Sequence, residues 1–213
     1  MHEKKLHEKL WNENIELAHK SLNHQFVQGI ASGKLDMNAF KIYVAQDAFY
    51  LRAFRKSYAL AIAKSDNLEH AEIFHDLMAG VLDELNLHKQ YSTKLGIDLE
   101  NVKPLNTCNS YTNFLLRVAW QNSVGEILSA MAPCMILYAF VGKELAKNYN
   151  PNSPYKDWIM TYSSQGLQAL SQQMENLLDE IAQDTPEVRD NYRYAMELEY
   201  EFFDEPMKSY SNE

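Results

Sequence analysis

The chain has 213 residues and a net charge of −9, a balance that disfavours nucleic acid or an anionic membrane as a partner. Hydrophobic residues at 46% suffice for a folded core, whereas 7 glycines and 6 prolines are too few for a turn-rich β protein or a disordered one. Two cysteines, Cys108 and Cys134, exclude a disulfide scaffold and fit a reducing cytosol.

The chain opens on a charged, helical stretch without an apolar signal core, so a cytoplasmic protein is expected. Leu6, Leu10, Ile15, Leu17 and Ala18 fall near one helical face and predict an amphipathic helix over residues 3–21. After a turn at Gly33, Asp36 is placed to cap a second helix carrying Phe40, Tyr43, Val44, Ala48, Leu51 and Phe54 and ending near Ser65. Asp66 with Glu69 reads as a capping box for a long third helix that closes at Gly96. A loop around Pro104 leads to a fourth helix over about 109–121.

Ser123 with Glu126 is a second capping box, and it opens the stretch around which the chain is organised. No residue from Ile127 to Gly142 is charged, so this helix should be buried on every side, at the centre of a bundle and bent at Pro133. The run is too short for a membrane span, which needs roughly 20 apolar residues. Asn148 to Pro154 is the clearest loop, followed by a short helix near 155–162, another over about 167–181, and a last one opened by Thr185-Pro186. No strand-like alternation and no repeat appears. The expected architecture is an all-α, single-domain helical bundle spanning residues 1–213.

Pro133 and Cys134 interrupt the central helix. A proline there removes a helical hydrogen bond, and as the first turn of a new segment it would expose N–H groups able to lower the pKa of the neighbouring thiol. The alternative is an inert, buried cysteine acting as a small hydrophobe. Asp47 likewise breaks an apolar run on the second helix, with Tyr50 on its face. Such an acid must be exposed, paired or kept for a ligand. In the last helix Glu199 and Phe202 share a face. Thirteen tyrosines offer flat rings with polar tips, suited to an aromatic ligand box. A rival constellation is Glu16-x-x-His19 with Glu72-x-x-His75, the spacing of carboxylate-bridged di-metal bundles. It lacks convincing additional glutamates, because the second helix offers only Asp47 and Glu126 serves a cap.

Taken in order, Tyr43-Val-Ala-Gln-Asp47-Ala-Phe-Tyr50, Ser110-Tyr111-Thr, Ala132-Pro-Cys134-Met-Ile-Leu-Tyr138 with Gly142, Tyr155-Lys-Asp-Trp158-Ile-Met-Thr-Tyr162 and Glu199-Tyr-Glu-Phe-Phe203 resemble the TenA / thiaminase II family. The resemblance implies a heme-oxygenase-like helical bundle, usually a homotetramer, acting on a 4-amino-2-methylpyrimidine without metal or organic cofactor. It implies Cys134 as nucleophile and Glu199 as acid/base at the ring nitrogen. Asp47 would contact the amidine edge, and Tyr50, Tyr111, Tyr138, Tyr162 and Phe202 would form the box. The implied reaction is hydrolysis of the 5-aminomethyl pyrimidine, a formylamino precursor or thiamin to the hydroxymethyl pyrimidine, in thiamin salvage or degradation. A di-iron oxidase and a non-catalytic pyrimidine binder are the competing expectations. The chain departs from the family pattern after Tyr162, where Ser-Ser-Gln-Gly-Leu replaces an acid followed by phenylalanine.

Overall fold

A computed structural model of the chain describes residues 4–210, in ten helices and, among these residues, no strand. The helices are α1 Leu6–Glu13, α2 Ile15–Leu22, α3 Gln25–Ser32, α4 Met37–Lys64, α5 Leu68–Leu95, α6 Asn106–Gln121, α7 Val124–Ala146, α8 Lys156–Tyr162, α9 Gln165–Ile181 and α10 Pro186–Tyr210. The all-α expectation therefore holds. The predicted first helix began at residue 3, which lies outside the described residues.

That first helix is in fact two. Asn14 separates α1 from α2, its backbone out of helical geometry and its amide donating to the Leu10 carbonyl at 2.8 Å. A short side chain able to bond the preceding turn competes with helix continuation, and hydrophobic spacing does not show that. The spacing also missed α3, a single buried-face segment that ends at Gly33, whose φ of 74° is the left-handed cap that glycine tolerates. The cap of α5 is corrected too: Asn67, not Asp66, accepts from the amides of Glu69 and His70. Asp36 and Ser123 cap α4 and α7 as expected, with Ser123 and Glu126 exchanging the reciprocal bonds of a capping box.

α7 is the core helix. Contrary to the length argument from the sequence, the 23-residue helix is long enough to cross a membrane and its apolar stretch, with a mean hydropathy of 1.8, is apolar enough, yet 78% of that stretch is buried within the bundle. It packs chiefly against α10, α9 and α8. The helix passes through Pro133 without a break, so no new helical segment begins there. Neighbouring helices hold the chain where the missing hydrogen bond alone would favour a stop. Cys134 is consequently a mid-helix residue.

Candidate active site

A cavity of about 380 Å³ opens between α4, α5, α7, α8 and α9. α4 contributes Asp47, Leu51 and Phe54, and α7 contributes Cys134, Met135 and Tyr138. α5 supplies Gly80, Val81, Asp83 and Glu84, while Thr161 and Tyr162 close the α8 side. Its size is ordinary for a small-molecule site, and its wall carries three carboxylates but no lysine or arginine. Such a wall favours neutral or cationic occupants.

The sequence-predicted residues fall into two layers joined by Cys134. Asp47, Cys134, Tyr138 and Tyr162 lie on the cavity wall. Tyr50, Tyr111, Glu199 and Phe202 lie behind it, all buried. In that second layer the Tyr111 hydroxyl donates to Glu199 Oε1 at 2.7 Å. The rings of Tyr50 and Tyr111 stand 4.7 Å apart, and Phe202 lies 5.8 Å from Tyr50. The Cys134 thiol lies close enough to the Glu199 carboxyl for the two to influence each other's ionisation, while the buried Tyr50 hydroxyl has no hydrogen-bond partner.

Burial dominates the chemistry of this pair. It pushes the Cys134 thiol well above its ordinary range, with the nearby Glu199 charge adding to the effect and Tyr50 opposing it. The expected lowering by a helix N-terminus is thus overturned, because α7 is continuous and presents no free N–H groups beside the thiol. Burial also raises Glu199 to about 8, against the hydrogen bond from Tyr111. The site therefore pairs a neutral thiol with a carboxyl that exchanges its proton near pH 8.

Asp47 is neither exposed nor alone. His88 Nε2 lies 2.6 Å from its Oδ2, and both side chains are buried. Burial by itself lowers the His88 imidazole, but the Asp47 carboxylate outweighs it and holds His88 above its usual value. Glu84, on the same α5 wall one turn before His88, accepts a hydrogen bond from the Tyr162 hydroxyl. Burial and the Asp47 charge raise it to about 7. Sequence reasoning missed both Glu84 and His88. The available signal was their i, i+4 spacing in Glu84-Leu-Asn-Leu-His88, which puts both on one helical face. Asp47, Glu84 and His88 each offer a ligand atom within 4.8 Å of one another, the one such group among the described residues. His88 Nε2 is paired with Asp47 and Glu84 with Tyr162, while the other ring nitrogen of His88, Nδ1, is buried without a hydrogen-bond partner.

The rival motifs come to nothing comparable. Glu16 and His19 border a shallow depression on α2, and Glu72 and His75 border another on α5, so the structure does not gather them into one site. The aromatic wall is built by contacts at 4.8 Å between Tyr138 and Tyr162 and 4.4 Å between Trp158 and Tyr162. In the departing segment, Ser164 caps α9 and Gly166 lines the cavity, where an added Cβ would meet no atom closer than 4.0 Å. That wall is open where a side chain would fit.

The model of the TENA/THI-4/PQQC family matches residues 7–209. The aminopyrimidine aminohydrolase of Bacillus subtilis is 32% identical over 193 residues, covering 86% of this chain and 81% of that protein. The mitochondrial bifunctional TH2 protein of Arabidopsis thaliana is 32% identical over 210 residues, and there the chain spans about a third (34%) of the relative's length. A crystal structure described as a TenA family transcription regulator from Silicibacter superposes with a TM-score of 0.87 at 26% identity, covering 93% of this chain and 95% of that one.

Proposed function

The chain belongs to the TENA/THI-4/PQQC family, and from that premise we propose that it is a thiamin-salvage hydrolase that converts 4-amino-5-aminomethyl-2-methylpyrimidine to the hydroxymethyl pyrimidine. The observation that carries this reading is the Cys134 thiol on the wall of an acidic, aromatic cavity, backed by the buried Glu199–Tyr111 couple. The amine on the exocyclic methylene is a poor leaving group and needs an electron source behind it. Glu199 takes the thiol proton as Cys134 sulfur bonds to the electron-poor ring carbon, and then passes that proton to a ring nitrogen. The ring, no longer aromatic, expels the amine through the methylene carbon. Water adds to the resulting exocyclic alkene. Return of the ring proton to Glu199 and departure of the thiolate restore aromaticity. One hard displacement is divided into easier steps by a covalent intermediate and an acid/base partner.

Asp47, oriented by His88, would hold the amidine edge through charge-assisted hydrogen bonds. Tyr138 and Tyr162 would cover the ring faces. The unit acting is one domain, without metal or organic cofactor, assembled as a homotetramer in the cytoplasm. Light scattering of the purified protein tests the assembly. The net charge of −9 weighs against a nucleic-acid partner.

A side-by-side assay of the aminomethyl pyrimidine, its formylamino precursor and thiamin tests the function. Release of hydroxymethyl pyrimidine with ammonia from the first compound is the expected result. Pyrimidine binding without turnover of any of the three would replace the enzyme with a non-catalytic binding protein.

A further inference from the structure

The reaction leaves one requirement unassigned. An uncharged amine cannot depart with the C–N electron pair unless a proton reaches it, and Glu199 is committed to the ring nitrogen behind Cys134. Three carboxylates line the cavity itself: Asp47, Asp83 and Glu84. Asp47 is tied to His88 at 2.6 Å, and Asp83 is exposed. Glu84 is half-buried, lines the cavity from α5, and is fixed in direction by the Tyr162 hydroxyl that reaches it from α8. Resting on the hydrolase reading above, we infer that Glu84 is a second catalytic acid/base, serving the leaving amine and then the incoming water.

The proton count closes. The Glu84 carboxyl gives its proton to the amine nitrogen as the C–N bond breaks, the bonding pair stays on nitrogen, and ammonia leaves. The carboxylate so formed takes a proton from water as the water oxygen bonds to the exocyclic methylene, which returns Glu84 to its starting form. The net change is aminomethyl pyrimidine plus water to hydroxymethyl pyrimidine plus ammonia. Glu84 also suits the task because burial and the Asp47 charge bring it to about 7, where gain and loss of a proton are both accessible.

A quaternary leaving group, as in thiamin or a pyridiniomethyl pyrimidine, departs as a neutral heterocycle and needs no proton. This contrast provides the test. Glu84→Gln keeps an acceptor for Tyr162 but has no proton to give. Its kcat for the aminomethyl pyrimidine should fall about 100-fold, the lower range for a lost general acid. Its kcat for the quaternary substrate should fall by less than a tenth of that factor, and titration with hydroxymethyl pyrimidine should show unchanged affinity. Equal losses on both substrates, or undiminished kcat on the amine, would overturn the assignment, as would loss of product binding. Failure of the wild-type enzyme to release ammonia is a separate outcome and would overturn the hydrolase reading itself.

Discussion

Gly142 and Tyr162 touch so closely that no other residue fits at position 142. A Cβ there would stand 2.4 Å from the Tyr162 carbonyl carbon and 2.5 Å from its oxygen. Gln168 reinforces this approach by donating from one amide nitrogen to the carbonyls of Ala139 at 3.0 Å and Tyr162 at 3.3 Å. The bare face of α7 thus fixes how deeply α8 delivers Tyr162, and with it the partner of Glu84. Gly142→Ala must push backbone, not a flexible side chain. It should cost about 1–3 kcal/mol, as overpacking does, despite the better helix propensity of alanine. Thermal melts should show the loss, and KM for the pyrimidine should rise. An unchanged melt together with an unchanged KM would refute the role given to this contact.

Cys134→Ser removes the nucleophile and little else, because Asp47, Tyr138 and Tyr162 reach the cavity from other positions. Turnover should fall at least about a thousandfold while affinity for hydroxymethyl pyrimidine stays within about threefold, since a serine hydroxyl is a far weaker nucleophile than a thiol and much harder to deprotonate. Calorimetric titration and an ammonia-release assay separate the two quantities. Near wild-type turnover in this variant would end the covalent mechanism.

Much of this organisation was legible in the residues. The uncharged run 127–142 identified α7 as the core helix, because a helix apolar all round has no face for water. Capping chemistry set the starts of α4 and α7 correctly. Elsewhere the deciding interaction was not local. Asn14 stops α1 through its own side chain, and Pro133 fails to stop α7 because the surrounding helices hold it. The partner of Asp47 lies 41 residues away on another helix, so a periodic pattern can expose the problem of a buried acid without naming its solution. The same is true of Glu84, which is paired only once α8 has packed against α7.

His88 supports Asp47 from behind and is expected to govern binding through it. Replacement by glutamine removes the positive partner and leaves a buried carboxylate uncompensated, a loss of about 3–5 kcal/mol for a broken buried pair. The sign with pH follows from the raised imidazole. The pair's contribution is complete below the unfolded histidine value, about 6.5, and is lost as pH climbs through the higher folded value. Chemical denaturation between pH 5 and 9 should therefore show the His88→Gln deficit shrinking as pH rises. A deficit that grew with pH would contradict the charged pair.

Glu199→Gln should stabilise the protein at alkaline pH while removing its activity. Burial raises Glu199 to about 8, whereas in the unfolded chain it ionises near 4.5. Between those values the folded protein keeps a proton that the unfolded chain has released, so the wild type loses stability as pH rises, by at most about 1.4 kcal/mol per pH unit for one such group. Above about 8 both states are ionised and the loss stops growing. Glutamine is neutral throughout and still offers Tyr111 an acceptor, so the variant escapes this term. Glu84 titrates in the same direction, but it is present in both proteins and cancels in the difference to first order. The melting temperature of Glu199→Gln minus that of wild type should accordingly increase from pH 5 to pH 8 and level off beyond it. Turnover should fall to within tenfold of the Cys134→Ser variant, because the thiol proton has no acceptor and the ring nitrogen no donor. A melting difference that is flat across this range would show that Glu199 is ionised in the folded site at pH 5, and would overturn the burial-raised carboxyl on which this pH dependence rests.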